Sequence, residues 1–374
     1  MSELGLIAIW PNHLHHAQSV VSELEEKFTI IEIYDIQWNK ENLYQNFYRF
    51  YGDRLSTKSI KEKAVNESEF RLVIFKDNQP KHAFRPTARG VEKVNTNFFD
   101  LKKSFRREFK TRFGIHGSND EIETSRDLSL LLGINVQDYK KNITSKWTGE
   151  IKKINRDVTG INGWDSLNQF FYFMNDIEPY VLLTNFDNFI PNLCSGEDID
   201  IIVLNQKKFA LFANAIKISK GLERVNYQIL VSGKPVDLDL RYVGDGYFDI
   251  HWQKECFKSR VKHSKGFYVM SEINQYYTLL YHVLIHKSNI PKKYQTFFTF
   301  KEEELKVKLY EFMYKNTYHM TEPRDITTYF NKGNGGDIKF SRPRRLRSKK
   351  GLSGSMKRFF SRINNIIHLR KGPA

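Results

Sequence analysis

The stretch that decides the fold of the second half of this chain is Ser195-Gly196-Glu197-Asp198-Ile199-Asp200-Ile201-Ile202-Val203. A turn of small residues leads into an apolar strand, and Asp198 and Asp200 share one face of it because strand side chains alternate with a period of two. Two carboxylates held close together favour a divalent cation, which takes oxygen ligands. We therefore predict a metal site at the start of this strand.

A second acidic strand follows at Pro235-Val236-Asp237-Leu238-Asp239-Leu240-Arg241. It alternates in the same way, so it is expected to bring a third carboxylate, from Asp237 or Asp239, to the site from a neighbouring strand. Three acids, Mg²⁺ or Mn²⁺, and a nucleoside triphosphate or another nucleotide-activated donor are what nucleotidyl or phosphoryl transfer requires. The alternative is a hairpin whose acids only face solvent.

The order of a small-residue turn, an acid-apolar-acid strand and a later strand acid resembles the nucleotidyltransferase superfamily. Asn185-Phe186-Asp187, ahead of the acid pair, is similar to members that act in cell-surface glycan assembly. The resemblance implies that Asp198 and Asp200 hold metal ions and that the third acid positions the attacking hydroxyl. The context Leu240-Arg241-Tyr242-Val243-Gly244 is also similar to these relatives, so Asp239 is the favoured third acid and metal ligand.

Composition sets the broad class of the protein. The chain has 374 residues, of which 40% are hydrophobic, and this is enough for two folded domains with a core in each. It shows no signal peptide and no apolar run of about 18 residues or more, so we expect a cytoplasmic protein. Cys194 and Cys256 are the only cysteines, which excludes a disulfide framework and a cysteine zinc site.

The first half of the chain alternates between strand and helix patterns. Strands are predicted at 5–11, 28–34 and 70–75, and helices at 14–27 and 40–51. This order fits a ferredoxin-like sandwich of one sheet and its covering helices. We therefore predict a first α+β domain over residues 1–142.

A more specific pattern lies at Phe113-Gly114-Ile115-His116-Gly117-Ser118-Asn119. It resembles the active-site stretch of nucleoside diphosphate kinases, in which a histidine carries a phosphoryl group. The resemblance implies that His116 is the nucleophile and that Asp127, eleven residues later, orients its ring. It also implies phosphate-binding roles for five polar residues: Arg89, Thr96, Arg106, Arg107 and Ser118.

The chemistry of phosphoryl transfer suits these residue types. A neutral imidazole is nucleophilic, an acid on its other nitrogen fixes the tautomer, and arginines and hydroxyls hold phosphate oxygens. Trp10, however, stands where the family has a phosphate-contacting lysine, and Phe113 stands where it has an asparagine. Two interpretations of this domain stay open: retained phosphotransfer, or nucleotide binding and support of assembly without turnover.

Residues 143–330 are predicted to form a nucleotidyltransferase-fold domain with a mixed sheet, entered through a polar connector at 141–163. Strands are expected at 180–183, 199–204, 227–231 and 236–242, with a helix at 207–219. His282 and His286 lie four residues apart on a predicted helix without a third ligand, so we interpret them as structural. Lys287 is predicted to contact the donor phosphates or to lie on a solvated basic face.

The excess positive charge is concentrated in a predicted tail, residues 331–374. The net charge is +16, and the segment from Asp337 to Ala374 has twelve Lys or Arg against one acid. Within residues 342–369 a basic run precedes an apolar stripe at helical spacing, which is typical of an anchor to an anionic membrane surface. Nucleic acid would attract the same charges, but the apolar stripe favours the membrane.

These patterns predict a magnesium-dependent enzyme of the α+β class, peripheral at the inner membrane face, that transfers a nucleotidyl or phospho-sugar group. A glycan or its lipid-linked precursor is the expected acceptor, and the kinase-like domain adds phosphotransfer through His116. Two other classes stay open: a nucleic-acid modifying or defence nucleotidyltransferase, and a non-catalytic nucleotide-binding scaffold. Oligomerisation is compatible with each of them.

Overall fold

A computed structural model describes residues 2–52, 68–87, 90–183, 198–218, 227–287, 294, 298 and 300–321. The chain divides into two compact units. The first comprises residues up to Gly163 together with 169–177 and 211–214, and the second comprises 164–168, 178–210 and the rest of the described chain. Both units combine β-sheet with α-helices, so the predicted α+β class is confirmed.

The first unit is built on a five-stranded sheet and a separate hairpin. Its strands are β1 (Glu3–Ile9), β2 (Thr29–Gln37), β3 (Glu69–Asp77), β4 (His82–Thr87), β5 (Gly90–Asn95), β6 (Ile115–Gly117) and β7 (Ile151–Asn155). Its helices are α1 (Ala17–Lys27), α2 (Leu43–Tyr51), α3 (Thr96–Glu108), α4 (Glu121–Leu132), α5 (Val136–Asn142) and most of α6 (Leu167–Ile177). Short 3₁₀ segments, Pro11–His16 and Lys40–Asn42, precede α1 and α2.

The strand order of this sheet is β6-β1-β3-β2-β7. β1 and β2 both pair antiparallel with β3, and β6 pairs antiparallel with β1. The first four strands therefore have the arrangement of a β-α-β-β-α-β ferredoxin-like sandwich, as the order of sequence patterns predicted. A core of aliphatic and aromatic side chains from β1, β3, α1 and α3 lies on one face of the sheet, including Ile7, Val20, Val73 and Phe105.

The segment predicted to be a polar connector has a different role. Strand β7 pairs in parallel with β2 over Ile33 to Gln37, and Trp147 ahead of it packs against the core of the first unit. Residues 143–163 are therefore part of this unit. Lys152 and Lys153 gave the segment its polar character, and lysines on an outer strand are one way in which proteins protect the edge of a sheet.

The second unit contains a seven-stranded sheet in the order β10-β11-β12-β9-β8-β14-β13. Its strands are β8 (Tyr180–Leu182), β9 (Ile199–Val203), β10 (Ile216–Lys217), β11 (Tyr227–Val231), β12 (Lys234–Tyr242), β13 (Val261–Lys262) and β14 (Tyr268–Val269). Its helices are α7 (Gln206–Phe212), α8 (Ile250–Lys258), α9 (Glu272–Tyr281) and α10 (Glu302–Lys315), and a π-helix, His282–His286, continues α9. β9 and β12, near the middle of the sheet, run parallel.

Two features of the backbone define the ends of these elements. β11 and β12 form a hairpin whose two turn residues, Ser232 and Gly233, have φ of 49° and 75°, the left-handed conformation of a type I′ turn. The helix predicted over 207–219 is too long, because α7 ends at Phe212 and strand β10 begins at Ile216. Asn214 breaks it with a φ of 52°, and its amide donates to the carbonyls of Gly160 and Ile161 at 2.9 Å.

The predicted membrane anchor lies in residues that the structure does not describe. Residues 342–369 and the rest of the tail lie outside the described ranges, as do Arg89 and the turn Ser195-Gly196-Glu197. Within the described ranges, no helix combines the length and the apolar character needed to cross a membrane.

Candidate metal centre and a buried histidine

Two neighbouring parallel strands bring the three predicted acids together. Asp200 on β9 is in register with Asp239 on β12, and Asp198 immediately precedes β9. One carboxylate oxygen from each of the three lies within 4.8 Å of the others. Asp198 and Asp200 are half-buried and Asp239 is only 2% exposed. No other group of three His, Cys, Asp or Glu in the described chain could hold a metal ion.

The neighbouring acid, Asp237, has a different partner. Its carboxylate accepts a hydrogen bond of 2.7 Å from the side-chain amide of Gln228, which faces it across the β11–β12 hairpin. Asp237 is on the same face of β12 as Asp239 because the two are separated by one residue. The cluster nevertheless contains Asp239 and excludes Asp237.

The residues behind Asp239 balance part of its charge. Nη2 of Arg241 lies 3.4 Å from Asp239 Oδ2, and its Nη1 lies 3.9 Å from Asp245. The guanidinium also lies 4.0 Å from the centre of the Tyr247 ring, a cation–π contact. Arg241 therefore connects the candidate metal ligand to the apolar core of the second unit and fixes the direction of its carboxylate.

The donor set of the cluster fits a hard divalent cation. Three carboxylates supply oxygen ligands only, which Mg²⁺ and Mn²⁺ prefer to the nitrogen and sulfur ligands chosen by zinc. Asp198, Asp200 and Asp239 carry three negative charges when ionised, and Nη2 of Arg241 lies 3.4 Å from one of these carboxylates. A bound cation would offset this repulsion, since like charges a few ångströms apart oppose each other's ionisation.

The two predicted structural histidines pack behind this region. The Tyr247 hydroxyl and His282 Nδ1 lie 2.8 Å apart, and His286 is fully buried with its ring 4.3 Å from the Tyr247 ring. Burial lowers the pKa of His286 well below its ordinary value, so the ring is neutral. Lys287 is half-buried at the end of the π-helix, and its contact with donor phosphates stays a prediction.

His116 is in the first unit, on the short outer strand β6. Its Nε2 lies 2.6 Å from Oδ2 of Asp127, which is fully buried on α4. A carboxylate accepts hydrogen bonds, so Nε2 carries the hydrogen and Nδ1 keeps the lone pair. Arg126 donates from Nε to the other oxygen of Asp127 at 2.8 Å and pairs with Glu123. The predicted histidine–acid pair is therefore present.

The surroundings of the His116 ring are aromatic. The rings of Phe50 and Tyr51, at the end of α2, lie 4.9 and 5.7 Å from it, and the His116 side chain is only 7% exposed. The Trp10 indole N–H donates to the Tyr51 hydroxyl at 2.6 Å. Trp10 therefore extends an aromatic wall in this unit, with Trp38, Phe47 and Phe70 packed against it.

Three of the predicted phosphate-binding residues bond to the backbone of the first unit. The Ser118 hydroxyl accepts from the Leu6 amide, and Arg106 Nε donates to the Ile115 carbonyl at 2.9 Å. Thr96 begins α3, and its hydroxyl donates to the Lys81 carbonyl at 3.1 Å. Arg107 is exposed on α3. Their contact with phosphate stays a prediction.

One charged residue beside His116 was missed from the sequence. Lys102 is buried on α3, and its ammonium donates to the Gly117 carbonyl at 2.7 Å and to the side chain of Asn119. The sequence pattern could have indicated that Lys102 is buried. Phe98 lies four residues before it and Phe105 three residues after it, and both are on the buried face of the same helix. A lysine at a core position is costly unless it is paired, which makes it a candidate for function.

The burial of His116 predicts that the stability of the first unit depends on pH. Burial lowers the pKa of His116 more than Asp127 and Glu123 raise it, and Lys102 adds to the lowering. The unfolded chain therefore binds more protons below about pH 6.5, and the first unit should lose stability as the pH falls from about 7.5 to about 5.5.

Hydrogen exchange of the β1 and β6 amides at the two pH values, corrected for intrinsic rates, would measure this loss. His116→Gln, which cannot gain the proton, is the control and should show a smaller loss. Equal losses in the two proteins would contradict the assignment.

Comparison with known proteins adds no relative to this description. No protein-family model matches the chain, and no curated protein matches it significantly. What the two sites do is therefore inferred from their own geometry and chemistry.

Proposed function

We propose that this protein is a metal-dependent transferase that moves a nucleotidyl or phospho-sugar group from an activated nucleotide to a hydroxyl. The observation that carries the proposal is the convergence of Asp198, Asp200 and Asp239 from two neighbouring strands, within 4.8 Å of one another. Three oxygen donors at that spacing serve phosphoryl and nucleotidyl transfer better than they serve the packing of a core.

Each residue of the centre has a part in such a reaction. A bound Mg²⁺ or Mn²⁺ supplies Lewis acidity at the phosphoryl oxygens. Asp198 and Asp200, half-buried at the start of β9, would hold the ion and face the donor phosphates. Asp239, more deeply buried and in contact with Arg241, would be the third ligand and direct the acceptor hydroxyl. The hydroxyl oxygen would attack phosphorus, and the bond from phosphorus to the leaving group would break. That group is pyrophosphate in nucleotidyl transfer and a nucleoside monophosphate in phospho-sugar transfer, and the hydroxyl proton would pass to a carboxylate or to solvent.

The proposed acceptor is a glycan or its lipid-linked precursor, and the proposed place of action is the cytoplasmic face of the membrane. The sequence similarity around the acid pair supports the acceptor class. The basic and apolar pattern of residues 342–369 supports the membrane surface, because each basic residue near anionic lipid adds roughly 1 kcal/mol of attraction.

The transfer reaction is tested by incubating the full chain with radiolabelled nucleoside triphosphates and Mg²⁺. We expect metal-dependent consumption of one nucleotide, its loss on chelation, and background rates for Asp198→Asn/Asp200→Asn. Nucleotide consumption that survives in the double variant after His116→Ala is added to it would overturn the proposal. Label that enters added RNA or DNA would support the nucleic-acid alternative, and no turnover with any triphosphate would favour the scaffold.

A second candidate, phosphoryl transfer through His116, is favoured by the 2.6 Å contact between its Nε2 and Asp127. The lowered pKa keeps the ring neutral, and Nδ1 would be the nucleophile. The His116 side chain is only 7% exposed and has the rings of Phe50 and Tyr51 beside it, so a donor phosphate has limited access to the imidazole.

Phosphohistidine formation would leave acid-labile label on the wild-type protein and none on His116→Ala. Label that is equal on the two proteins, or absent from both, would contradict it. Because the aspartate variants keep His116, they serve as the matched control.

A further inference from the structure

The first unit contains a polar cavity that neither candidate site uses. Its volume is about 210 Å³, and it lies where β2 and β7 run side by side, below the end of α5 and the loop 143–150. None of its lining residues belongs to the metal centre or to the His116 network. The cavity is smaller than the roughly 300 to 1,000 Å³ typical of pockets for drug-sized ligands, so it suits a smaller molecule.

A carboxylate at the wall of the cavity is held by three hydrogen-bond donors. Glu32 on β2 accepts from the hydroxyls of Tyr34 and Tyr139 on one oxygen and from the ammonium of Lys152 on the other. Burial alone would raise the pKa of Glu32, but the bonds from Lys152, Tyr139 and Tyr34 together lower it, so the group is ionised. Of the two tyrosines only Tyr139 lines the cavity, where its oxygen can also accept from a ligand, and Lys152 has two further N–H donors.

The rest of the lining adds donors, acceptors, one aromatic ring and the apolar side chains of Ile31, Ile33 and Ile143. Asn142, Thr144, Ser145 and Thr148 supply amide and hydroxyl groups that can both donate and accept. The Trp147 indole N–H donates to the Glu150 carbonyl, so the ring offers a ligand only its apolar surface.

The charges of the lining indicate which ligand it would accept. Glu32 and Glu150 oppose Lys146 and Lys152, two acids against two bases, so the formal charge of the lining is zero. A phosphate or another anion calls for a net positive site with arginine or clustered lysine. An apolar molecule would displace water from these exposed hydroxyl and amide groups without replacing its hydrogen bonds.

We propose that this cavity binds one neutral sugar residue. A sugar ring carries hydroxyls that both donate and accept around its edge, and apolar C–H groups on its faces. The hydroxyls would bond with Tyr139, Lys152 and the loop hydroxyls, and a ring face would lie on Trp147. This site is separate from the metal centre, so binding needs neither nucleotide nor metal, and it can fail or succeed independently of the proposed transfer.

Saturation-transfer NMR on the full chain without metal tests the proposal, with glucose, N-acetylglucosamine and ribose as probes and inorganic phosphate as competitor. We expect saturable transfer to at least one sugar at millimolar concentration, with no displacement by phosphate. No saturable transfer to any of the three sugars would overturn the proposal. Displacement by phosphate would also overturn it, because the cavity would then be an anion site.

Matched tyrosine variants locate the binding. Tyr139→Phe removes one hydroxyl from the cavity and should weaken sugar binding about three- to tenfold, the effect of one hydrogen bond. Tyr172→Phe is the control, because Tyr172 in the same unit donates to the carboxylate of Asp138 at 2.8 Å and does not line the cavity.

Trp147→Leu, which keeps an apolar side chain but removes the stacking surface, should also weaken binding. Hydrogen exchange of the β2 amides would verify that each variant is folded. Equal affinity of the wild type, Tyr139→Phe and Trp147→Leu would show that the sugar binds elsewhere.

Discussion

Asp239→Asn is expected to lower metal-dependent nucleotide consumption at least about 100-fold, because residues that merely support metal ligands already change activity or affinity by roughly 10- to 100-fold. Asp239 is the most buried of the three acids and the one that arginine orients. The amide keeps the shape of the side chain and removes the charge. The rate of nucleotide consumption and Mn²⁺ binding followed by electron paramagnetic resonance would measure the two effects separately.

Asp237→Asn is the matched control for this substitution. Asp237 lies on the same face of the same strand as Asp239, and its substitution removes the same charge. The Asp237 carboxylate, however, bonds to Gln228. We expect its rate to stay within about threefold of the wild type, since this partly buried hydrogen bond lies outside the cluster and contributes only about 1 kcal/mol to stability. If the two variants lost activity equally, the general negative charge of the strand would matter and the specific cluster would not.

Asp127→Ala is expected to destabilise the first unit by about 3 to 5 kcal/mol, the usual result of removing one partner from a buried charge pair. Asp127 is fully buried and accepts from both His116 and Arg126. Without it the Arg126 guanidinium stays buried with Glu123 as its remaining acidic partner. Hydrogen exchange of the β1 and β6 amides should accelerate by about two to four powers of ten, since each 1.36 kcal/mol is a factor of ten.

The control for this prediction is Asp138→Asn. Asp138 is on the next helix, α5, where its carboxylate bonds to Lys141 and Tyr172 nearer the surface. Such a pair contributes less than about 1 kcal/mol, so exchange should change less than about fivefold. If Asp127→Ala changed the exchange rates as little, the buried network would contribute little to the free energy of unfolding. The bond to Asp127 would then not be what fixes the tautomer of His116.

The parts of the fold that follow a local period could be predicted from the sequence. Alternation placed Asp198 and Asp200 on one face, and the apolar runs gave β1, β2, β3, β11 and β12 to within a few residues. Alternation could not choose between Asp237 and Asp239, because both point the same way. That choice depends on the partner across the hairpin, Gln228, and on the parallel register with β9, which are contacts between distant parts of the chain.

The surroundings of the candidate sites were harder to predict for the same reason. The aromatic wall beside His116 comes from α2, more than sixty residues earlier in the chain. Glu32 and Tyr139 meet across 107 positions of sequence. Strand β7 was not predicted because Lys152 and Lys153 stand between Ile151 and Ile154, so its apolar residues do not alternate with polar ones. Local propensity carries no information about such pairings, which packing alone decides.

The hairpin turn at Ser232 and Gly233 also has a consequence for the order in which the protein folds. A two-residue hairpin closes in about 1 to 10 μs, so β12 can form with β11 early and present Asp239 long before the metal centre exists. Asp200 is roughly forty residues away and joins by a parallel ladder, whose loop must close first. The three ligands therefore meet only after this loop has closed, and a chain in which only the hairpin has formed holds a single one of them in place.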